Sequence, residues 1–191
     1  MSKSLKGTKT EKNLLASFAG ESQARNRYTY FASAAKKEGY EHISAVFLET
    51  AENEKEHAKK FFKYLEGGAV EITAMYPAGK ILDTKSNLKA AAEGEHEEWG
   101  KLYLEGANTA LEEGFKDVAD TFKFIADVER EHEARYLKLL AEIEKGEVFK
   151  KDHEVKWKCR NCGYIQKGNE APKKCPACEH PQSYYEVVCI C

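Results

Sequence analysis

Apolar and polar residues alternate at helical spacing through most of this chain, from about Glu11 to Lys145. The intervening positions are rich in Ala, Glu, Lys and Leu, which are strong helix formers. Glycines divide the pattern where breaks are needed, and these are Gly39, Gly67, Gly68, Gly114 and Gly146. The pattern therefore predicts a mainly α domain of four long helices.

The predicted helices cover residues of about 10–38, 41–66, 86–113 and 115–145. Thr10 is a candidate cap for the first helix, and Ser86 with Asn87 opens the third. The one long connection, of about 18 residues, lies between the second and third helices and contains Pro77 and Gly79. A connection of this length suits a crossover along a bundle better than a hairpin turn.

The pattern changes at about Lys151. From there, short clusters of aromatic and β-branched residues alternate with turn residues. The segment is too short to form a large apolar core, so it needs a stabilising cross-link such as a metal ion or disulfides. All six cysteines of the 191-residue chain lie within its last 33 residues. We therefore expect two domains, residues 1–150 and 151–191, the second held together by a metal ion rather than by disulfides.

Composition and charge exclude several classes of protein. The formal net charge is −2, so no basic surface for nucleic acid is implied. The N-terminal segment lacks the apolar core of a signal peptide, and no apolar run approaches the ~18 residues of a membrane span. We expect a cytoplasmic protein with neither nucleic acid nor membrane as a partner.

One pattern of glutamates and histidines occurs twice within the helices. A lone glutamate is followed, 33 or 34 residues later, by a Glu-x-x-His pair; the six residues are Glu21, Glu54, His57, Glu95, Glu129 and His132. The spacing within each pair places the histidine beside its glutamate on one helix face. The four glutamates lie at similar distances in residues from the helix breaks at Gly39 and Gly114, so two antiparallel hairpins would bring them to nearly the same height along the bundle axis. The sequence therefore predicts one layer of four carboxylates and two imidazoles.

Such a layer needs compensating charge, because buried carboxylates repel one another and lose their hydration. Two divalent cations balance four carboxylates. Carboxylate and imidazole ligands suit iron or manganese, and this ligand set is the one found in ferritin-like di-metal bundles. A single Glu-x-x-His occurs by chance in helices this rich in glutamate, but two copies with matched offsets favour a di-metal site.

Three further residues lie at helical spacing from the lone glutamates and so on the same helix faces: Glu98, Tyr28 and Tyr103. Glu98 follows Glu95 by three residues and is either a surface glutamate or a fifth carboxylate of the site. We favour the second, since an extra anion near one metal would bind ferric better than ferrous iron. Tyr28 and Tyr103 either hydrogen-bond the ligating carboxylates or pack as ordinary core residues. Four other histidines lack a matching partner set and are not expected to be ligands: His42, His96, His153 and His180.

Four cysteines form two Cys-x-x-Cys pairs separated by twelve residues: Cys159, Cys162, Cys175 and Cys178. Four thiolates at this spacing bind one tetrahedral ion. Iron and zinc both accept such ligands. A redox di-metal site needs an electron donor, which favours iron, whereas a zinc ribbon used for interaction is the alternative. Cys189 and Cys191 are expected to be free thiols.

The combination resembles the rubrerythrin family over nearly the whole chain. The resemblance is carried by Glu-Ser-Gln-Ala-Arg-Asn-Arg-Tyr around Glu21, the duplicated Glu-x-x-His, Glu95-x-x-Glu98, and the cysteine pairs, which are of rubredoxin type. It implies a ferritin-like four-helix bundle with a non-haem di-iron centre, followed by a small rubredoxin-like domain of strands and loops.

The resemblance also implies a role for each ligand. The fixed di-iron ligands would be Glu21, Glu54, Glu95, Glu129 and His132, with Glu54 and Glu95 as bridges. Glu98 and His57 would alternate on one iron, the carboxylate binding when the site is oxidised and the imidazole when it is reduced. The four paired cysteines would hold a single iron.

The implied function is a peroxidase that reduces hydrogen peroxide to water. The rubredoxin-like iron would relay electrons from an external donor, such as a rubredoxin or an NAD(P)H-dependent reductase, because the chain has no nucleotide-binding glycine fingerprint. A homodimer or larger homo-oligomer is expected. The alternative on the same bundle is a ferroxidase or iron-binding protein of the ferritin-like class, for which an electron-supplying module has no obvious use.

Overall fold

A computed structural model describes residues 3–188 of the chain. Five α-helices form its larger part: α1 Lys9–Lys37, α2 Glu41–Phe62, α3 Thr84–Glu97, α4 Tyr103–Glu112 and α5 Lys116–Glu144. A π-helical turn, Glu98–Leu102, joins α3 to α4 and is called the π-turn below. Cys189 and Cys191, which we predict to be free thiols, lie outside the described residues.

The helices form a four-column bundle. Helix α1 packs along α2, and the column made of α3, the π-turn and α4 packs along α5. The crossover between the two pairs is residues 63–83. The expectation of a ferritin-like bundle followed by a small strand domain is confirmed. None of the helices in the described part of the chain is long and apolar enough to cross a bilayer.

The C-terminal part is a small antiparallel sheet. Its strands are β1 Lys150–Cys159, β2 Ile165–Glu170 and β3 Tyr185–Val187, in the order β2-β1-β3. A cluster around the buried Trp157, Cys159, Cys175 and Tyr185 forms its interior. The apolar interior is small, as the sequence of this segment predicts.

Two apolar clusters fill the bundle, one toward each end. The first includes Tyr28, Phe31, Phe47, Leu88 and Tyr136, and the second includes Leu14, Phe61, Tyr103, Ala110 and Phe122. On every column the predicted ligands lie between the two clusters in sequence. The polar layer is therefore enclosed by apolar packing on both sides, which removes water from around its charges.

Several predicted helix ends are wrong by a few residues. Thr8 rather than Thr10 caps α1, because its hydroxyl accepts a hydrogen bond from the Glu11 backbone N–H at 3.0 Å. Helix α3 begins at Thr84, since the Asp83 carboxylate accepts from the Ser86 N–H at 2.8 Å.

Helix α2 ends at Phe62 and not near Glu66. The Glu66 carboxylate instead accepts hydrogen bonds from the N-terminal segment, from the Leu5 N–H at 2.7 Å and the Ser4 hydroxyl at 2.8 Å. The crossover is accordingly longer than the predicted 18 residues.

The third predicted helix is interrupted by the π-turn. A π-turn holds one residue more than an α-helical turn, so it shifts the following helix by one position. This insertion explains why the second glutamate offset is 34 residues and the first 33. It also explains why Tyr103 follows Glu95 by eight residues, whereas Tyr28 follows Glu21 by seven.

A close approach between α4 and α5 depends on Gly106. A Cβ atom at this position would lie 3.0–3.2 Å from three atoms of the buried Phe122 ring. We expect Gly106→Ala to destabilise the bundle: crowding costs about 1–3 kcal/mol, against a gain in helix propensity of about 1 kcal/mol. Urea unfolding of the metal-free protein measures the difference. Gly100→Ala is the control, because its Cβ would meet only His96, at 3.8 Å; equal stability of the two variants would contradict the prediction.

Candidate metal centres

The four columns bring seven carboxylate and imidazole side chains toward the middle of the bundle. Six of them form two overlapping groups, and within each group one ligand atom from every residue lies within 4.8 Å of the others. The first group is Glu21, Glu54, His57 and Glu129, and the second is Glu54, Glu95, Glu129 and His132. Each group has the size and the ligand types of a site for one metal ion.

Glu54 and Glu129 belong to both groups, whereas Glu21 and Glu95 belong to one each. Glu129, and not Glu95, therefore shares both groups with Glu54, which differs from the expectation that Glu95 bridges the metals together with Glu54. The reason lies in the duplication. An approximate two-fold relation between the two halves of the bundle would interchange the two metal positions. Ligands shared by both positions must then be residues that the same relation interchanges, and Glu54 and Glu129 are such residues because each is the glutamate of a Glu-x-x-His pair.

Both histidines face the carboxylates through the same ring nitrogen. His57 Nδ1 lies 2.9 Å from Glu54 Oε2 and 2.9 Å from Glu129 Oε1. His132 Nδ1 lies 2.7 Å from Glu129 Oε2 and 3.3 Å from Glu54 Oε1. Nδ1 is thus the atom of each imidazole that can ligate a metal in this layer.

Many buried atoms of this layer lack a hydrogen-bond partner among the described residues: Glu21 Oε2, Glu54 Oε1, Glu95 Oε2, both carboxylate oxygens of Glu129 and His132 Nδ1. His132 Nδ1 and Glu129 Oε2 are close but are not oriented to hydrogen-bond each other. Buried polar atoms are almost always paired, so atoms that converge without partners indicate that cations complete the site. The residues fit a pair of metal ions.

The pKa values of the carboxyls show that ionising all of them together is unfavourable in this buried layer. Burial, followed by repulsion from Glu54, raises the pKa of Glu95 to about 8. Burial also raises the pKa of Glu21 well above its usual range. At Glu54 burial acts in the same direction, but contacts with His132 and His57 outweigh it and lower the pKa to about 2. Without bound cations, some carboxyls of the layer, such as Glu95 and Glu21, therefore retain their protons near neutral pH.

The two tyrosines contact the lone glutamates, each that of the other half. Tyr28 donates to Glu95 Oε1 at 2.5 Å, and Tyr103 donates to Glu21 Oε1 at 2.5 Å. Both rings are also fully buried in the apolar clusters. Both interpretations offered by the sequence, core packing and hydrogen bonding to a carboxylate, therefore apply to each tyrosine. The ring packs in the core, and the hydroxyl donates to the glutamate.

Glu98 is buried beside the layer but belongs to neither group. The π-turn directs it toward α1, where its Oε1 lies 3.9 Å from the position that a Cβ on Gly20 would occupy. It lines a cleft of about 650 Å³ together with Gly20, Tyr103 and the crossover residues 73–77. Glu98 thus lies between this cleft and the group that contains Glu21 and His57. Of the two residues expected to alternate on one metal, His57 contacts the carboxylates of the layer and Glu98 lies outside both groups.

Two residues near the layer were missed by the sequence interpretation. Asn53 Oδ1 lies 3.3 Å from His132 Nε2. Tyr136 packs edge-on against the Tyr28 ring, with centroids 5.5 Å apart. Tyr136 follows His132 by one helical turn, a spacing that could have found it. Asn53 carries no such signal. The four histidines not expected to be ligands lie outside both groups.

The four paired cysteines come together at one end of the small sheet. Their sulfurs lie within 4.8 Å of one another, and Sγ–Sγ distances of 3.7 Å separate Cys159 from Cys178 and Cys162 from Cys175. A disulfide needs about 2.05 Å. A tetrahedral ion with metal–sulfur bonds of about 2.3 Å separates its ligands by about 3.8 Å, which matches.

The thiols cannot all ionise without a cation. A hydrogen bond from the His180 backbone lowers the pKa of Cys178 to about 6. At Cys162 the backbone of Tyr164 acts in the same direction, but neighbouring thiols outweigh it and raise the pKa to about 12. A bound metal ion would stabilise all four thiolates.

Comparison with known proteins assigns both parts of the chain. The family model described as rubrerythrin matches residues 12–151, and that of the rubrerythrin rubredoxin-like domain matches residues 157–186. The chain is 64% identical to the rubrerythrin of Porphyromonas gingivalis, covering 97% of this chain and 93% of that protein. It is 53% identical to the rubrerythrin of Nitratidesulfovibrio vulgaris, covering 98% of both.

Solved structures are similar as well. Fully reduced, all-ferrous nigerythrin superposes with a TM-score of 0.65 at 31% identity, covering 97% of this chain and 92% of that one. Mycobacterium tuberculosis bacterioferritin BfrA superposes with a TM-score of 0.61 at 18% identity over 71% of this chain and 86% of that one. The second similarity concerns the fold alone.

Proposed function

The chain belongs to the rubrerythrin family, and on that premise we propose that it is a peroxidase that reduces hydrogen peroxide to water. The protein is an iron-binding oxidoreductase with a di-iron site in the bundle and one iron in the four-cysteine site. The observation that carries the proposal is the sharing of Glu54 and Glu129 between two ligand groups. Shared carboxylates would hold two metals side by side, so that each could supply one of the two electrons that the reduction of one peroxide molecule consumes.

The proposed ligands of the di-iron site are Glu21, Glu54, His57, Glu95, Glu98, Glu129 and His132, and those of the single iron are Cys159, Cys162, Cys175 and Cys178. When bound, the two ferrous ions would supply the two electrons that, with two protons, convert hydrogen peroxide into two waters. Tyr28 and Tyr103 orient the carboxylates of Glu95 and Glu21 through their hydroxyls.

Glu98 is the residue best situated to handle protons from the cleft. Its carboxyl lies between the cleft and Glu21, and burial, with repulsion from Glu95, raises its pKa well above the usual range. A carboxyl that retains its proton near neutral pH can donate it to an incoming oxygen. The cleft is thus proposed as the route by which peroxide reaches the His57 side of the site.

The electrons must come from outside the chain. We propose that the four-cysteine iron accepts them singly from a rubredoxin or an NAD(P)H-dependent reductase and passes them to the di-iron site. A cytoplasmic homodimer or larger homo-oligomer, with domains at residues 1–150 and 151–191, completes the proposal. The ferritin-like alternative would instead oxidise and accumulate iron without using this module.

Steady-state peroxide consumption with NAD(P)H and a rubredoxin reductase tests the proposal. We expect Cys175→Ser to reduce multiple turnover to the background rate, because the electron relay is lost, while one turnover of prereduced protein persists. Lys174→Arg, on an exposed residue that adjoins Cys175 and contacts Glu179 rather than a thiol, is the matched control and should retain full activity.

Two outcomes would count against the proposed function. Undiminished steady-state activity of Cys175→Ser would disprove the relay. Accumulation of mineralised iron by wild-type protein with little peroxide consumption would favour the ferroxidase alternative. The visible spectrum of the purified protein excludes a zinc ribbon if it shows iron–thiolate absorption.

A further inference from the structure

The two halves of the di-iron site differ in the residue that precedes each shared glutamate. Asn53 precedes Glu54 on α2, and Val128 precedes Glu129 on α5. The two positions are equivalent in the duplicated pattern, because each lies four residues before the histidine of its own half. One half therefore offers an amide where the other offers an isopropyl group.

The amide contacts the histidine of the opposite half. Asn53 Oδ1 lies 3.3 Å from His132 Nε2, between α2 and α5. An amide oxygen only accepts hydrogen bonds, so Nε2 carries a proton, and in the neutral ring that a metal binds the lone pair is left on Nδ1. His132 Nδ1 faces the carboxylates, 2.7 Å from Glu129 Oε2. Asn53 thus fixes both the tautomer and the orientation that ligation through Nδ1 requires.

His57 has no corresponding support. Its hydrogen bond and short contacts all involve Nδ1, and no partner for its Nε2 occurs within residues 3–188. The equivalent position on α5 is Val128, whose side chain cannot accept a hydrogen bond. The His57 side chain is also more exposed than that of His132, at 13% against 7%.

The additional carboxylate lies on the same side as the unsupported histidine. Glu98 lies close to Gly20, next to Glu21, and Glu21 shares a ligand group with His57 but not with His132. One metal position therefore has a histidine without an anchor and a spare carboxylate. The other has an anchored histidine and no spare carboxylate among the residues that the structure describes.

We propose that Asn53 is a positioning residue that makes His132 a permanent ligand, and that Val128 at the equivalent position leaves His57 free to give way to Glu98. This inference rests on the proposed di-iron function, and it explains why only one of two equivalent histidines can exchange. A metal-ligating histidine is usually held through its second ring nitrogen. The absence of that support at His57 is then a functional difference between the halves.

Anaerobic titration with ferrous ion, combined with NMR of the exchangeable imidazole N–H protons in the loaded protein, tests the proposal. We expect Asn53→Val to weaken one of the two ferrous sites about 10–100-fold and to accelerate solvent exchange of the His132 Nε2–H. Asn53→Asp, which keeps an acceptor oxygen in place, should retain slow exchange. Val128→Asn should leave both affinities intact and slow the exchange of the His57 Nε2–H.

The outcomes separate this inference from the function on which it rests. Wild-type protein that binds fewer than two ferrous ions would overturn both. Two bound ions with an unchanged His132 N–H in Asn53→Val would overturn the inference alone, as would equal weakening by Asn53→Val and Val128→Asn. Rescue by Asn53→Asp distinguishes positioning from a general loss of packing.

Discussion

Glu129→Ala is expected to lose both irons of the bundle, whereas Glu95→Ala is expected to retain one. Glu129 belongs to both ligand groups and Glu95 to the second group only. Without Glu129, each position loses a ligand, and Glu54 alone remains shared. Without Glu95, the first group of Glu21, Glu54, His57 and Glu129 is still complete.

Iron per chain, measured after anaerobic loading with ferrous ion and gel filtration, gives the result directly, once the iron of the four-cysteine site is subtracted. Glu131→Ala is the matched control, since it removes an exposed carboxylate from the same helix two residues away. The helical circular dichroism of each variant shows whether the bundle is intact. Loss of both irons in Glu95→Ala, with one retained in Glu129→Ala, would restore Glu95 as the bridge.

The placement of Glu129, rather than Glu95, in both ligand groups shows what sequence spacing can and cannot predict. Helical rise is constant, so distances from Gly39 and Gly114 place Glu21, Glu54 and Glu95 at one height. Spacing says nothing of the lateral order of the columns, and that order decides which carboxylates lie between the metals. The equivalence of the two Glu-x-x-His pairs contained the answer, because a two-fold exchange of positions requires equivalent bridges.

The π-turn illustrates a signal that was present but small. One inserted residue leaves a run of good helix formers unchanged in composition, so a continuous helix is the natural prediction. Its traces are the offsets of 34 and eight residues in the second half against 33 and seven in the first. The insertion also directs Glu98 toward Gly20, a contact that depends on the tertiary fold.

Other features could not be predicted from the sequence because their partners are distant in it. Glu66 resembles any polar residue at the end of a helix, yet it caps the N-terminal segment 61 residues away. Asn53 resembles a solvent-facing residue of a polar helix, yet it contacts a histidine 79 residues away. The cysteine cluster was predictable because its ligands are chemically distinctive and close in sequence.

The metal-free protein is expected to lose stability as the pH rises from about 5 to about 9, by several kcal/mol, since each unit of pKa shift is worth about 1.4 kcal/mol. The Glu95 pKa of about 8 lies above its ordinary value of 4.5. The folded state therefore holds a proton that the unfolded chain releases above about 4.5. This contribution is fully present below that pH and is lost as the pH rises through about 8. Glu21 and Glu98 act in the same direction.

The histidines extend the loss to higher pH. Burial would lower their pKa values, but contacts with Glu129 and Glu54 outweigh it and raise the pKa of His57 to about 10 and that of His132 to about 12. Their contribution is complete below 6.5 and is lost as the pH rises through those values. Within this layer of the bundle, Glu54, with its pKa lowered to about 2, acts in the opposite sense, and its contribution is lost in acid, between about 4.5 and 2.

Bound iron should reverse the trend, because it requires the deprotonated carboxylates that destabilise the metal-free layer. The stabilisation that ferrous ion provides should thus grow with pH, while the metal-free bundle weakens. Urea unfolding of chelator-treated and ferrous-loaded protein between pH 5 and 9, followed by helical circular dichroism, measures both. Glu95→Gln should flatten the metal-free slope, and Glu93→Gln, on an exposed residue of the same helix, should not. Metal-free stability that rises over this range would show that the layer remains ionised without its cations.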